Sequence, residues 1–174
     1  MYNRLVQAIV LSTIVSLLGA TDAFAAKKPT RVKGAMKGTL TLSPTNLTGG
    51  VYTLTVNTVG SLSHLGRSEG VWQGDVSVDA TTLEPMPLTG LGWTLTTKQG
   101  GSLQGTLIWS ATGVTNQPLV YSLTGTFAIT GGTGRLRGAT GQGSVTGTVD
   151  ATTGKVRIHL DALVNTLRSK KLKS

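Results

Sequence analysis

Apolar and polar residues alternate with a period of two through most of this chain. In residues 35–42, Met36, Leu40 and Leu42 share one side and Lys37, Thr39 and Thr41 the other. Residues 51–57 put Tyr52, Leu54 and Val56 on one face, and residues 71–79 set Trp72, Val76 and Val78 against Gln73, Asp75, Ser77 and Asp79. The pattern continues through residues 93–97, 103–111, 119–130, 145–151 and 156–164. Turn residues separate the runs, among them Pro44 and Asn46, Glu84-Pro85-Met86-Pro87, Gln99-Gly100-Gly101 and Thr153-Gly154. Period-two alternation broken by Gly, Pro, Asn and Asp predicts antiparallel strands. These runs are the strand candidates, and no segment shows the 3.6-residue period of an amphipathic helix. Residues 60–70, with His64, Arg67 and Glu69, read as a polar, irregular loop, and residues 26–34 as a basic linker containing a proline.

The organising stretch is residues 127–158. A strand runs in and stops at Gly131-Gly132; the chain then passes two arginines, returns as a Gly/Thr/Val strand and turns again at Thr153-Gly154. Consecutive antiparallel strands with glycine-built corners predict a sheet that curls towards closure. The expected fold is all-β: a single antiparallel, closed or nearly closed β-barrel of about eight strands over residues 35–164. A lipocalin-like barrel and a β-sandwich are the alternatives. The 174 residues suffice for one domain with a substantial core.

The first 25 residues follow a different pattern. Arg4 precedes a mostly apolar run over residues 5–20, and Ala23-Phe24-Ala25 supplies a small-x-small cleavage sequence. This predicts a cleaved secretory signal peptide, and so a secreted or periplasmic protein. The absence of cysteine excludes disulfides, thiolate metal ligands and a cysteine nucleophile.

Charge changes the picture through its placement. The net charge is +9. Lys27, Lys28, Arg31, Lys33 and Lys37 crowd the start of the mature chain, and Arg168, Lys170, Lys171 and Lys173 its end, with no acid among them. Residues 38–167 hold six Lys/Arg and six Asp/Glu. The sequence therefore reads as a neutral domain with a basic linker and a basic tail over residues 165–174. Those ends imply solubility, or weak contact with an anionic surface, and no specific nucleic-acid partner.

Parity sorts the barrel's two faces. Tyr52, Trp72, Trp93, Trp109, Tyr121 and Phe127 fall on the apolar face with no Asp, Glu, His, Lys or Arg among them. They either fill the core or line a site for one small apolar or aromatic ligand. Titratable groups are left to rim loops, where His64, Arg67 and Glu69 are the compact set. Arg135 and Arg137 share one glycine turn and form a weak anion candidate. Two histidines and scattered carboxylates show no metal-ligand spacing. Gly132-Thr133-Gly134 lacks the third glycine of a dinucleotide loop, and no G-x-S-x-G elbow occurs. No catalytic residue, metal or cofactor is therefore assigned.

The run G-G-T-G-R-L-R-G-A-T-G over residues 131–141 resembles a motif of bacterial secreted proteins of the allene oxide cyclase-like barrel class. Plant dirigent proteins carry a related G-G-T-G-K-F. His64-Leu65-Gly66-Arg67 is similar to an H-L-G-[KR] element of the same bacterial group. The resemblance implies an antiparallel barrel of about eight strands, often trimeric among plant members, working without metal or cofactor. Leu136 stands where the family usually has Phe, and Lys98-Gln99-Gly100-Gly101-Ser102-Leu103 takes the place of an A-N-G-D-x-L element without its Asp. The plant catalytic residues find no motif-level counterpart. The combined expectation is a secreted barrel with a non-catalytic, small-molecule-binding or structural role. A cofactor-free cyclase, isomerase or dirigent-like enzyme is the alternative.

Overall fold

A computed structural model describes residues 28–46, 51–77, 88–114 and 117–166. The expected signal peptide, the loop containing Glu84-Pro85-Met86-Pro87 and most of the basic C-terminal tail lie outside them. Eight strands are present: β1 (Thr30–Asn46), β2 (Val51–Leu62), β3 (Gly66–Ser77), β4 (Leu88–Thr97), β5 (Ser102–Val114), β6 (Gln117–Gly132), β7 (Thr140–Asp150) and β8 (Lys155–Asn165). Each pairs antiparallel with the next, and β8 pairs with β1 to close the barrel. Among the described residues the other regular element is one 3-10 turn, Gly134–Leu136.

Two sequence expectations need correction. The first strand begins at Thr30, inside the expected linker. Thr30 to Thr39 form the ladder with β8, in which Val32 opposes Ala162 and is buried. Closure supplies the reason: without these residues β8 would carry an unpaired edge. The second correction concerns residues 60–70. β2 runs to Leu62 and β3 starts at Gly66, leaving a tight turn at Ser63, His64 and Leu65. Its polar residues are outward strand positions at Ser61, Arg67 and Glu69, turn positions at Ser63 and His64, and one inward position at Ser68.

The interior is apolar and filled by size alternation. Inward glycines sit where large side chains from neighbouring strands need room, which fits a narrow eight-strand barrel. A Cβ on Gly143 would lie 2.6 Å from Phe127 Cζ, and one on Gly74 2.2 Å from Leu91 Cδ2. Trp72 stacks on Trp93 with ring centroids 5.7 Å apart, and Phe127 meets Trp93 edge-on at 5.3 Å. Such aromatic pairs add about 0.5–1.5 kcal/mol beyond their area burial. The buried polar side chains among the described residues are Thr58, Ser68 and Thr97. Ser68 donates to the Gly66 carbonyl at 3.1 Å and Thr97 to that of Gly101 at 3.2 Å. Thr58 accepts from Trp72 Nε1 at 3.2 Å and donates to the Gly70 carbonyl at 3.2 Å. Buried polar groups with partners avoid the cost of about 1–3 kcal/mol that an unpaired group carries.

Candidate functional site: the two ends of a filled barrel

The barrel's alternating strand directions give it two unlike ends. At one, β1 begins, β8 ends, and the corners at Ser63–Leu65, 98–101 and 133–139 turn the chain. At the other lie Tyr52, Trp109 and Tyr121 and the turn at residues 151–154.

The first end is closed by its own corners. The Thr133 N–H donates to the Ser102 carbonyl at 2.9 Å, and the Ser102 N–H to Thr133 Oγ1 at 3.1 Å. Leu65, Leu136 and Ala139 are buried beneath the turns. The fold requires left-handed backbone at Gly134 (φ +55°), where a Cβ would also sit 3.0 Å from Gly101 Cα. That is a reason for glycine inside the G-T-G motif. Arg135 ties three corners together: its guanidinium donates to Gln99 Oε1 on the β4–β5 turn, and to the Leu65 carbonyl on the β2–β3 turn at 3.5 Å. Lys98 joins Arg67 through a backbone bond of 2.9 Å from its N–H to the Arg67 carbonyl.

The predicted rim and anion candidates are thus brought to one place. His64, Arg67, Arg135 and Arg137 all occupy this end and are exposed; Glu69 lies one pleat further along β3, opposite Val59 and Thr96. His64 itself takes a left-handed conformation, φ +63°. Between His64 and Arg135 opens a cleft of about 320 Å³, with Thr30 and Thr166 at its rim and Val32, Leu65, Leu136 and Val164 in its floor. The sequence kept His64 and Arg135 in separate sets, because 71 positions of chain hide a neighbourhood made by barrel closure.

The six aromatic candidates divide. Trp72, Trp93 and Phe127 pack on one another in the middle of the barrel, where the remaining cavity measures about 20 Å³ and is lined by apolar side chains. That volume suits roughly one water molecule, so these three residues form core and line no ligand chamber. Tyr52 and Tyr121 are half-buried and pack against the core at the far end. Trp109 is buried there with its Nε1 unpartnered. Trp93 Nε1, by contrast, donates to the Thr106 carbonyl at 3.2 Å.

On the outer wall a broad concavity of about 760 Å³ crosses β5 to β8 and reaches β1. Ile108 and Leu163 line it and stand about half exposed; the Arg31–Asp161 ion pair, 2.6 Å long, lies at one side. The Arg31 guanidinium, by hydrogen bond first and charge second, holds the Asp161 carboxyl below its ordinary range. His159 faces outward, as parity predicts.

No family model and no curated protein sequence matches the chain. Solved structures do. The pterocarpan synthase dirigent protein GePTS1 is similar with a TM-score of 0.51 and 16% identity, over 86% of this chain and 95% of that one. The pterocarpan synthase dirigent protein PsPTS1 gives a TM-score of 0.50 and 16% identity, over 83% of this chain and 99% of that one. The fold is a dirigent-like closed antiparallel barrel of eight strands.

Proposed function

We propose that this chain is a non-catalytic barrel module that works through its surface, held rigid by a filled interior. The single observation behind this reading is the packing of Trp72, Trp93 and Phe127, which leaves about 20 Å³ where a ligand chamber would be. The described buried polar side chains each bond a backbone carbonyl, so no acid or base faces the interior among those residues. General acid–base chemistry requires such a group within hydrogen-bond reach of the substrate. The synthase activity in the neighbours' names has only the shared fold behind it here, and fold alone does not carry function.

The test is a titration with small aromatic alcohols, read by tryptophan emission and melting temperature in a Trp109→Phe variant, where Trp72 and Trp93 are the barrel's reporters. Neither emission nor melting temperature should move at millimolar ligand. A saturable shift in both would mean that the barrel opens to admit a ligand, and would end the surface-module reading.

One observation favours a second reading. Trp109 Nε1 is a buried donor without an acceptor at the end where Tyr52 and Tyr121 are half-buried. A small aromatic molecule carrying a carbonyl or hydroxyl would satisfy it. In the same titration a Trp72→Phe, Trp93→Phe variant, reporting from Trp109, would respond saturably, and the Trp109→Phe protein would show no shift in melting temperature.

A further inference from the structure

The cations and acids of residues 38–167 cancel in number but not in space. Four of the six cations, Arg67, Lys98, Arg135 and Arg137, stand at the corner end of the barrel. Lys28, Arg31 and Lys33 join them from the start of β1, and all seven are exposed. The acids nearest this end are Glu69 and Asp161, and Asp161 is already paired with Arg31. Towards the opposite end Asp75 and Asp150 stand against Lys155 and Arg157, so charges of the two signs are equal in number there among the described residues. The barrel's first strand starts at the basic end, at Thr30, and its last strand stops there, at Asn165. The sequence beyond adds Lys27 on one side and Arg168, Lys170, Lys171 and Lys173 on the other. The barrel is therefore polarised along its axis, with its positive pole at the end from which the basic segments issue.

We propose that this end docks on an anionic phospholipid bilayer, the barrel axis standing across the surface. The inference goes beyond the surface-module reading and holds whether or not a small molecule enters the aromatic end. Three features favour a bilayer. The cations ring the end of a cylinder, an arrangement that meets a plane better than a strand. The cleft between His64 and Arg135 has a polar rim and the apolar floor of Val32, Leu65, Leu136 and Val164, matching the polar-to-apolar step of a lipid headgroup. The described aromatic side chains lie inside the barrel or at its far end, so the basic end lacks the stacking platform that holds single-stranded nucleic acid. Surface lysines and arginines attract anionic membranes by roughly a factor of five in affinity each, within a Debye length of about 8 Å at physiological salt.

The test is co-sedimentation of the full chain with phosphatidylglycerol–phosphatidylcholine vesicles and with phosphatidylcholine vesicles at low salt. Three variants accompany it: R67Q/K98Q/R137Q at the basic end, K155Q/R157Q away from it, and K170Q/K171Q/K173Q in the C-terminal segment. All keep residues 1–25, so differences among them report the changed charges. The substituted side chains of the first two are exposed, and unchanged circular dichroism will confirm folding. Partition to anionic vesicles should fall roughly a hundredfold for the first variant, at about fivefold per charge, and less than about twofold for the second. Short-chain phosphatidylglycerol should shift the amide resonances of His64, Leu65 and Leu136 and leave that of Trp109 in place. The proposal is overturned if the first variant binds within about threefold of the parent, if loss occurs in the C-terminal variant alone, or if the difference between parent and first variant persists at about 0.5 M salt. Tighter binding to a single-stranded oligonucleotide than to vesicles at equal salt would assign the face to nucleic acid and overturn it equally.

Discussion

The basic end and the aromatic end of this barrel are made from the same eight strands, yet they resolve their polar groups differently. At the basic end each corner is tied to another, and Arg135 alone joins three. The indoles of the barrel's middle have acceptors in Thr58 Oγ1 and the Thr106 carbonyl. At the aromatic end Trp109 Nε1 is buried without one, and Tyr52 and Tyr121 are half-buried. A barrel interior is a single hydrophobic cluster, but its two mouths answer to separate demands. Corners bonded to one another mark the end that holds the fold, and a buried donor without an acceptor marks the end with chemistry left over.

The sharpest way to break this contrast is to empty the middle and compare it with the far mouth. Trp93→Ala removes the ring that touches both Trp72 and Phe127, and should cost about 3–5 kcal/mol in denaturant unfolding. Tyr52→Ala should cost less than about 2 kcal/mol, because the residue is half-buried. Equal losses would mean that the two regions share one degree of order. Next in size comes Gly105→Ala. The new Cβ would lie 1.8 Å from the Ala128 carbonyl oxygen and 3.0 Å from Trp93 Cζ2, and backbone cannot yield as a flexible side chain does. A loss of about 2–3 kcal/mol is expected from such overpacking, and a variant as stable as its parent would refute the packing account of the inward glycines.

Thr58→Val tests the satisfied hydroxyl directly. It strips the acceptor from Trp72 Nε1 and the donor from the Gly70 carbonyl, at about 1–3 kcal/mol. Trp109→Phe should stay within about 1 kcal/mol of the parent, since the void it leaves is offset by removal of an unpaired donor. Reversal of that order would show that Trp109 has found a partner in solution.

The smallest effect is electrostatic and sits once at each end. The hydroxyl and N–H of Thr153 hold the Asp150 carboxyl low at the turn of the aromatic end, with the Thr152 N–H adding to them. The Arg31 guanidinium does the same to Asp161. A carboxylate depressed in the folded state stabilises it fully above its ordinary range, near pH 4, and loses that contribution as pH falls. Thermal melts from pH 6 to pH 2 should therefore decline less steeply below about pH 4 in Asp150→Asn and Asp161→Asn than in the parent. Identical slopes would remove both residues from the account.

Strand parity made much of this legible from residues alone. Trp72, Trp93, Trp109 and Phe127 point inward as the alternation requires, and His159 points out. The strand end at Gly131-Gly132 and the corners at Gly100 and Gly154 fall where turn chemistry placed them. What escaped is what depends on closure. Val32 lies among Arg31, Lys33 and Lys28, and its basic neighbours read as linker until β8 is seen to need a partner. Gly74 and Gly143 carry no side chain for the alternation to sort, and only the closed barrel shows that they occupy inward positions filled from the next strand. Charge summed along the chain likewise hides a separation that appears only when Arg67, Lys98 and Arg135 meet at one end.

The ladder from Thr30 to Thr39 against Val164 to Lys155 carries a consequence for how the molecule comes into being. It joins the first strand of the barrel to the last, so among the strand pairings it has the greatest sequence separation and the largest loop to close. Until residue 165 has been synthesised and delivered, β1 and β7 each present a bare edge, the kind of surface on which chains pair with one another instead of with themselves. Growth from the N-terminus therefore leaves a curled, incomplete sheet waiting for its last strand. Truncation anywhere within β8 turns a self-contained cylinder into a template for aggregation.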